Sequence, residues 1–204
     1  MKIAIFIEPS NEINKKIIKW KKLIKRSFGN QKYLNHPVHL TLAVYKFKKK
    51  PTKFFYDSLK RDISIIKKFN IYLSKANVFY NDELTSGNTL YFSVKKTQKI
   101  FDLQKKIILN FRNLKKNMII KCNFKNLKLN KNSLNYGFPF VGKIWIPHLT
   151  ISSISLSSDK NKMSKLIEDF LSQKIHNKKI NVNKISIWKI NGDKHKKIYS
   201  FSMQ

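Results

Sequence analysis

Apolar residues recur along this chain with two periods, and the period changes where the predicted elements change. From Lys2 to Glu8, Ile3, Ile5 and Ile7 alternate with Lys2, Ala4, Phe6 and Glu8, the spacing of a strand. Pro9-Ser10-Asn11 predicts a turn and a helix start. Ile13, Ile17, Trp20 and Ile24 then fall at helical spacing to about Phe28, and Gly29-Asn30 predicts the stop. His39 to Phe47 reads as the second strand. After the solvated run Lys48 to Lys50, Pro51 suits a first helical turn, and Phe55, Leu59, Ile63, Ile66 and Phe69 mark a second helix. Asn70 to Tyr80 and Thr89 to Val94 read as strands around a loop bounded by Asn81-Asp82-Glu83 and Ser86-Gly87-Asn88. Ile100, Leu103, Ile107, Phe111 and Leu114 give a third helix.

Met118 to Leu129 is expected to be a strand, and Asn130 to Pro139 a polar, turn-rich connection. Phe140 to Trp145 leads into a strand from His148 to Leu156. Ser157-Ser158-Asp159 caps a last helix with a buried stripe of Met163, Leu166, Ile167, Phe170 and Leu171. Asn181 to Ile190 and Lys197 to Phe201 read as closing strands around a turn at Asn191-Gly192-Asp193. The order β-α-β-α-β-β-α, then β-β-α-β-β, is two rough copies of one arrangement. No linker or low-complexity tail divides residues 1–204, which fit one domain, or two small lobes sharing one core.

Two of these strands carry the same chemistry. Pro37-Val38-His39-Leu40-Thr41-Leu42 and Ile146-Pro147-His148-Leu149-Thr150-Ile151 both read His, apolar, Thr, apolar, close behind a proline. Alternation puts His39 with Thr41, and His148 with Thr150, on a face opposite the aliphatic residues. With only five His and six Thr in the chain, two such coincidences have a chance of roughly 1 in 100, which makes the pair specific for a short motif. A single half-buried strand histidine is usually structural. Two imidazoles can serve as general base and general acid, because histidine titrates near neutrality, and two hydroxyls can hold the oxygens of an anion between them.

The pair His39-Leu40-Thr41-Leu42 and His148-Leu149-Thr150-Ile151 resembles the duplicated motif of the 2H phosphoesterases, which include the 2′-5′ RNA ligase-like RNA cyclic phosphodiesterases. The resemblance implies a bilobal α+β fold of two pseudo-symmetric lobes, with two antiparallel sheets facing a central cleft and helices outside. It implies a hydrolase acting without metal or other cofactor on RNA or nucleotide phosphodiesters, often 2′,3′-cyclic phosphates, with His39, Thr41, His148 and Thr150 as catalytic residues. By the same resemblance His148 is the base and His39 the acid, although the motif symmetry allows either order. Many relatives have a basic residue two places after the second Thr; here that place is Ser152, followed by Ser153. Strand parity puts Ser152 on the His148 face and Tyr45 on the His39 face. Tyr45 and Ser152 are therefore candidate substrate contacts, joined by Phe140 and Tyr199, which lie near the motifs or in strands expected to border them, since aromatic stacking is how single-stranded RNA is often held.

Composition changes the picture in one respect. Lys and Arg number 43 against 11 acidic residues, a net charge of +32. One reading is a polyanionic partner, most simply RNA. The other is drift, since only Arg26, Arg61 and Arg112 among those basic residues are arginine, the type suited to forked phosphate recognition. The lysines are spread along the chain, which argues against an amphipathic membrane anchor. A lone Cys122 makes no internal disulfide, so a reducing, cytoplasmic setting is expected, as is a monomer with no obligate protein partner. The apolar run Ile3 to Ile7 is too short for a signal peptide or membrane span.

Other chemistries find less support. His36-x-x-His39 could seed a zinc site with His148, but no carboxylate or Cys lies near in sequence to complete it. Asp82-Glu83 and Glu168-Asp169 are expected in a loop and a helix, away from both motifs. No glycine-rich phosphate loop and no G-x-S-x-G elbow occurs. His176 and His195 sit in polar, lysine-rich settings and read as exposed. The runner-up to an enzyme is a non-catalytic basic RNA-binding protein that keeps the cleft. Hydrolase and ligase directions are not separable from these residues.

Overall fold

The computed structural model describes residues 1–192 and 194–204; Asp193, at the tip of the expected closing turn, lies outside the described residues. In chain order the elements are β1 (Lys2–Ile7), α1 (Asn11–Phe28), β2 (Leu40–Lys46), α2 (Lys53–Ser64), β3 (Phe69–Asp82), β4 (Gly87–Val94), α3 (Gln98–Arg112), α4 (Leu127–Tyr136), β5 (His148–Ser155), α5 (Lys160–Leu171), β6 (Lys179–Val182), β7 (Lys184–Asn191) and β8 (Lys194–Ser202). α1, α3 and α5 fall where their apolar spacing puts them, whereas α2 ends at Ser64, so that Ile66 lies beyond it and Phe69 opens β3. Asp159 accepts a hydrogen bond from the Lys162 backbone N–H and starts α5, as its sequence position predicts.

Three expectations about the elements need correction. Residues 118–129 do not form a strand: only Met118 makes a β-bridge, to Phe47. The expected turn-rich connection is instead the helix α4, begun by the Asn126 side chain accepting from Lys128 N–H and ended by Gly137 at φ +71°. Ser133 is its one buried residue, so α4 carries no apolar stripe for periodicity to detect. The closing segment from Asn181 also breaks at Asn183: β6 pairs with β3, whereas β7 pairs with β1.

The resemblance implied two sheets facing a cleft. The structure has one eight-stranded antiparallel sheet, in the order β6-β3-β4-β5-β2-β1-β7-β8. Its two four-stranded halves meet at β2 and β5, which share a single register pair, Leu40 with Leu149. The cause lies in the strands. Ile5 pairs with Ala43 but Phe6 with Thr41, which leaves Leu42 unopposed on β2. Leu90 pairs with Ser152 but Tyr91 with Thr150, which leaves Ile151 unopposed on β5. A bulge bends and twists its strand, so each motif strand turns away from the other beyond the shared pair.

Both resulting gaps are filled by a strap taken from the opposite half. The segment after α1 lies along β5, where Ser153 N–H donates to Lys32 O at 3.0 Å and Ser155 N–H to Gln31 Oε1 at 2.9 Å. The segment after α3 lies along β2, where Lys48 N–H donates to Asn117 O and Ile119 N–H to Lys46 O, each at 2.7 Å. The helices cross in the same way, α1 packing on β5 and α3 on β2, while α5 packs on β3 and α2 on β8. Leu40, Leu42, Leu149 and Ile151 are fully buried in the resulting core. Among the described residues no helix is long and apolar enough to cross a membrane.

Candidate active site

The Leu40–Leu149 pair dictates the site. In an antiparallel ladder, one step to either side of this pair sets His39 across from Thr150 and Thr41 across from His148. Side chains alternate faces, so all four point away from the leucine core. All four are half-buried, in contrast to the fully buried Leu40 and Leu149.

Local backbone then sets each imidazole in the same way. His39 Nδ1 lies 2.6 Å from Pro37 O, and His148 Nδ1 lies 2.7 Å from Ile146 O, the carbonyl two residues back in both cases. A carbonyl oxygen only accepts, so Nδ1 is the protonated nitrogen of each neutral ring. Nε2 is then the atom that takes or gives a proton. Each ring also rests on an aromatic side chain from the flanking strand, at the residue opposite the motif threonine. Phe6, opposite Thr41, stacks on His39 at 3.6 Å between centroids. Tyr91, opposite Thr150, meets His148 edge-on at 5.1 Å and stacks on Phe79 at 4.0 Å.

The two rings differ in electrostatic surroundings. Burial pushes His39 down to about 3, partly offset by the hydrogen bond to Pro37, and the electrostatic influence of His36, Lys21 and His195 acts in the same direction as burial. Burial also lowers His148, but there the hydrogen bond to Ile146 and the charge of Asp82 favour the imidazolium. Asp82 is held in place: its Oδ2 accepts from Thr89 Oγ1 at 2.7 Å and its Oδ1 from Leu84 N–H at 3.0 Å. On the His39 side, Trp188 packs against Phe6 at 6.2 Å, and Lys197 Nζ lies 5.1 Å from the Trp188 ring while pairing with Glu8 at 2.7 Å.

Lys21 ties α1 to the loop that delivers His39. It is only 7% exposed, and its Nζ donates to Tyr33 O at 2.7 Å and His36 O at 2.6 Å. Desolvation lowers it to about 8. Tyr33 sits at φ +70°, a conformation bulky residues seldom adopt, and the bond to its carbonyl helps hold it there.

The remaining sequence candidates lie elsewhere, and the bulges explain two of them. Beyond Leu42 the parity of β2 reverses, so Tyr45 turns into the core, 1% exposed and stacked on Phe111 at 4.4 Å. Beyond Ile151 the parity of β5 reverses, so Ser152 is fully buried and donates to Lys32 O at 2.9 Å. Ser153, opposite Thr89, joins a hydroxyl chain by donating to Thr85 Oγ1 at 2.7 Å. The Phe140 ring meets Phe124 and Phe138, and the Tyr199 ring meets Tyr56 and Phe201; among the described residues neither stacks on His39 or His148. His36 and His195, read as loop and surface residues, pack together at 4.2 Å beside the site. Phe6 and Tyr91 escaped the sequence reading because only cross-strand register brings them to the motifs, and Asp82, expected to lie away from both motifs, acts on His148 through its charge. Among the described residues no three His, Cys, Asp or Glu side chains cluster as a metal would require.

Comparison with known proteins places the fold. The model of the 2′-5′ RNA ligase superfamily matches residues 9–194. Among solved structures, TT0787 of Thermus thermophilus is similar at a TM-score of 0.65 and 13% identity, over 99% of this chain and 97% of that one. E. coli LigT in its apo form is similar at a TM-score of 0.56 and 12% identity, over 99% and 96%. The complex of E. coli LigT with 3′-AMP matches at 0.54 and 12%, over 99% and 97%. No curated protein sequence matches the chain.

Proposed function

The chain belongs to the 2′-5′ RNA ligase superfamily, and from that premise we propose that it hydrolyses an RNA-derived phosphodiester, a 2′,3′-cyclic phosphate or a 2′-5′ linkage, by acid–base catalysis between His39 and His148. The observation that carries this reading is the matched commitment of both Nδ1–H groups to backbone carbonyls, which leaves two Nε2 atoms available on one face of the sheet. One Nε2 takes a proton from the attacking water as its oxygen bonds to phosphorus. The other gives a proton to the sugar oxygen as the P–O bond breaks, and solvent exchange restores both rings. Thr41 and Thr150 donate to the non-bridging oxygens, where negative charge accumulates. The same steps reversed would ligate.

The surroundings support His148 as the acid and His39 as the base, the reverse of the order that the family resemblance implied. Asp82 favours a protonated His148, whereas burial and the nearby Lys21 disfavour protonation of His39. The complexes of E. coli LigT with 3′-AMP, NADP+ and ATP support a nucleotide as the ligand. The test is release of a phosphomonoester from a nucleoside 2′,3′-cyclic phosphate by the purified protein, with His39→Ala and His148→Ala alongside. RNA binding with no turnover on cyclic phosphate or 2′-5′ dinucleotide would instead support the non-catalytic RNA-binding reading.

A further inference from the structure

We propose that the body of an RNA substrate leaves the cleft past His36 and runs along α1, with its phosphates on Lys15, Lys19, Lys22 and Arg26; this rests on the reading of the site as an RNA phosphoesterase. The path begins in a hollow of about 450 Å³ beside the His39 loop. His36, Pro37 and Trp188 form its wall toward the site, and Lys21, Lys22 and Lys25 its wall on α1. A second hollow, of about 730 Å³, lies on the neighbouring flank of α1 between Lys15, Lys19, Lys22 and Arg26, with Gln173 at its edge. Lys22 lines both. The two concavities thus adjoin at Lys22, where a strand leaving the His39 loop would cross α1 to reach the row.

The row has the geometry of a backbone track. Residues 15, 19, 22 and 26 are spaced four, three and four apart, so they form one stripe along the helix, roughly 16 Å long at a rise of 1.5 Å per residue. All four are exposed. A high overall charge does not by itself produce this row, because charge is unevenly distributed among the helices. α1 carries Lys15, Lys16, Lys19, Lys21, Lys22, Lys25 and Arg26 against Glu12 alone. α3, which occupies the equivalent place in the other half, carries Lys99, Lys105, Lys106 and Arg112 against Asp102. α2 and α5 carry three basic and two acidic residues each. The carboxylates near the path are already paired, Glu12 with Lys178 at 2.6 Å and Glu8 with Lys197 at 2.7 Å, and so do not cancel it. The buried polar residues of the two helices differ in kind too. Gln104 on α3 donates to Leu42 O and Phe140 O, whereas Lys21 puts a cation behind the first hollow.

The experiment compares the quadruple variant Lys15→Gln, Lys19→Gln, Lys22→Gln, Arg26→Gln with Lys99→Gln, Lys105→Gln, Lys160→Gln, Lys165→Gln, which removes as many exposed charges from other helices. Glutamine keeps helix propensity close to that of lysine and arginine, and circular dichroism checks the fold. The substrates are a 12-nucleotide RNA ending in a 2′,3′-cyclic phosphate and the cyclic mononucleotide. The α1 variant is expected to raise KM for the 12-mer at least tenfold and to reduce the slope of log K against log salt by about 3, at roughly 0.7 per lost single-strand phosphate contact. Its mononucleotide turnover should match wild type, and the second variant should change each value by less than half as much. Equal effects of the two quadruple variants on the 12-mer, with mononucleotide turnover intact, would overturn the α1 path and leave the active-site reading standing. No mononucleotide turnover by the wild-type protein would overturn the active-site reading itself. Loss of binding to vesicles of anionic phospholipid by the α1 variant, with 12-mer binding retained, would assign this surface to a membrane and also overturn the path. The single variant Lys22→Gln repeats the measurement where the hollows meet.

Discussion

Leu40 and Leu149 face each other across the one register pair that joins the two halves of the sheet, and His39, Thr41, His148 and Thr150 are the four residues that flank them in sequence. A pair of buried leucines therefore acts as the hinge pin of a polar site. Neither leucine reaches that site, yet their register sets which hydroxyl faces which imidazole.

Replacing either histidine with alanine should cost about 10²–10⁴-fold in turnover of a sugar phosphodiester. With an aryl leaving group, whose oxyanion is stable unprotonated, the variant lacking the acid should recover most of its activity. Recovery by His148→Ala alone would confirm His148 as the acid. Recovery by His39→Ala alone would restore the order implied by the family resemblance. Unchanged aryl-to-sugar ratios in both variants would end the two-histidine mechanism.

Turnover should survive EDTA, because both proton transfers are assigned to imidazoles. The check is the rate of cyclic mononucleotide hydrolysis after dialysis against chelator. A loss of activity that a divalent ion restores would contradict it.

Lys21→Met should lower the unfolding free energy by about 1–3 kcal/mol, since the Tyr33 and His36 carbonyls lose their buried donor. Because that loop delivers His39, kcat on the cyclic mononucleotide should fall with little change in KM. A variant as stable and as active as wild type would show the clamp to be dispensable.

Stability should fall as pH drops below about 6.5, the ordinary histidine value. Burial depresses both active-site histidines, so the unfolded chain binds their protons first. Their contribution is complete above the unfolded value and is lost as pH falls toward the folded one, about 3 for His39. Each ring adds at most about 1.4 kcal/mol per pH unit. Denaturant titrations between pH 6.5 and 5, above most carboxylate titration, should show a shallower slope for His39→Asn, whose amide can still donate to Pro37 O. An identical slope would place the proton uptake elsewhere.

The motif histidines and threonines were legible because chemistry and alternation coincide over a few residues. The substrate-contact candidates were not, because alternation holds only until a bulge. Tyr45 shares parity with Thr41 in sequence but lies beyond Leu42, and Ser152 shares parity with Thr150 but lies beyond Ile151. A bulge is a property of pairing, and the partners Phe6 and Tyr91 are distant in sequence. Helix α4 was missed for a different reason: it lies on the surface, with Leu127 and Leu134 exposed, so burial left no periodic trace. The single sheet was not foreseen because one backbone pair distinguishes it from two.

The crossed straps have a consequence for how the protein comes into being. Lys32 and Gln31 close onto Ser152, Ser153 and Ser155, more than a hundred residues downstream, and Met118 closes back onto Phe47. Contacts so remote in sequence form late, since their loop-closure entropy must be met before they contribute stability. A nascent chain released before β5 would contain His39 but neither Leu149 to set its register nor β5 for its strap to grip. Each half lacks its strap without the other, so the complete site should appear in a single late step of folding, together with the last gain in cooperativity.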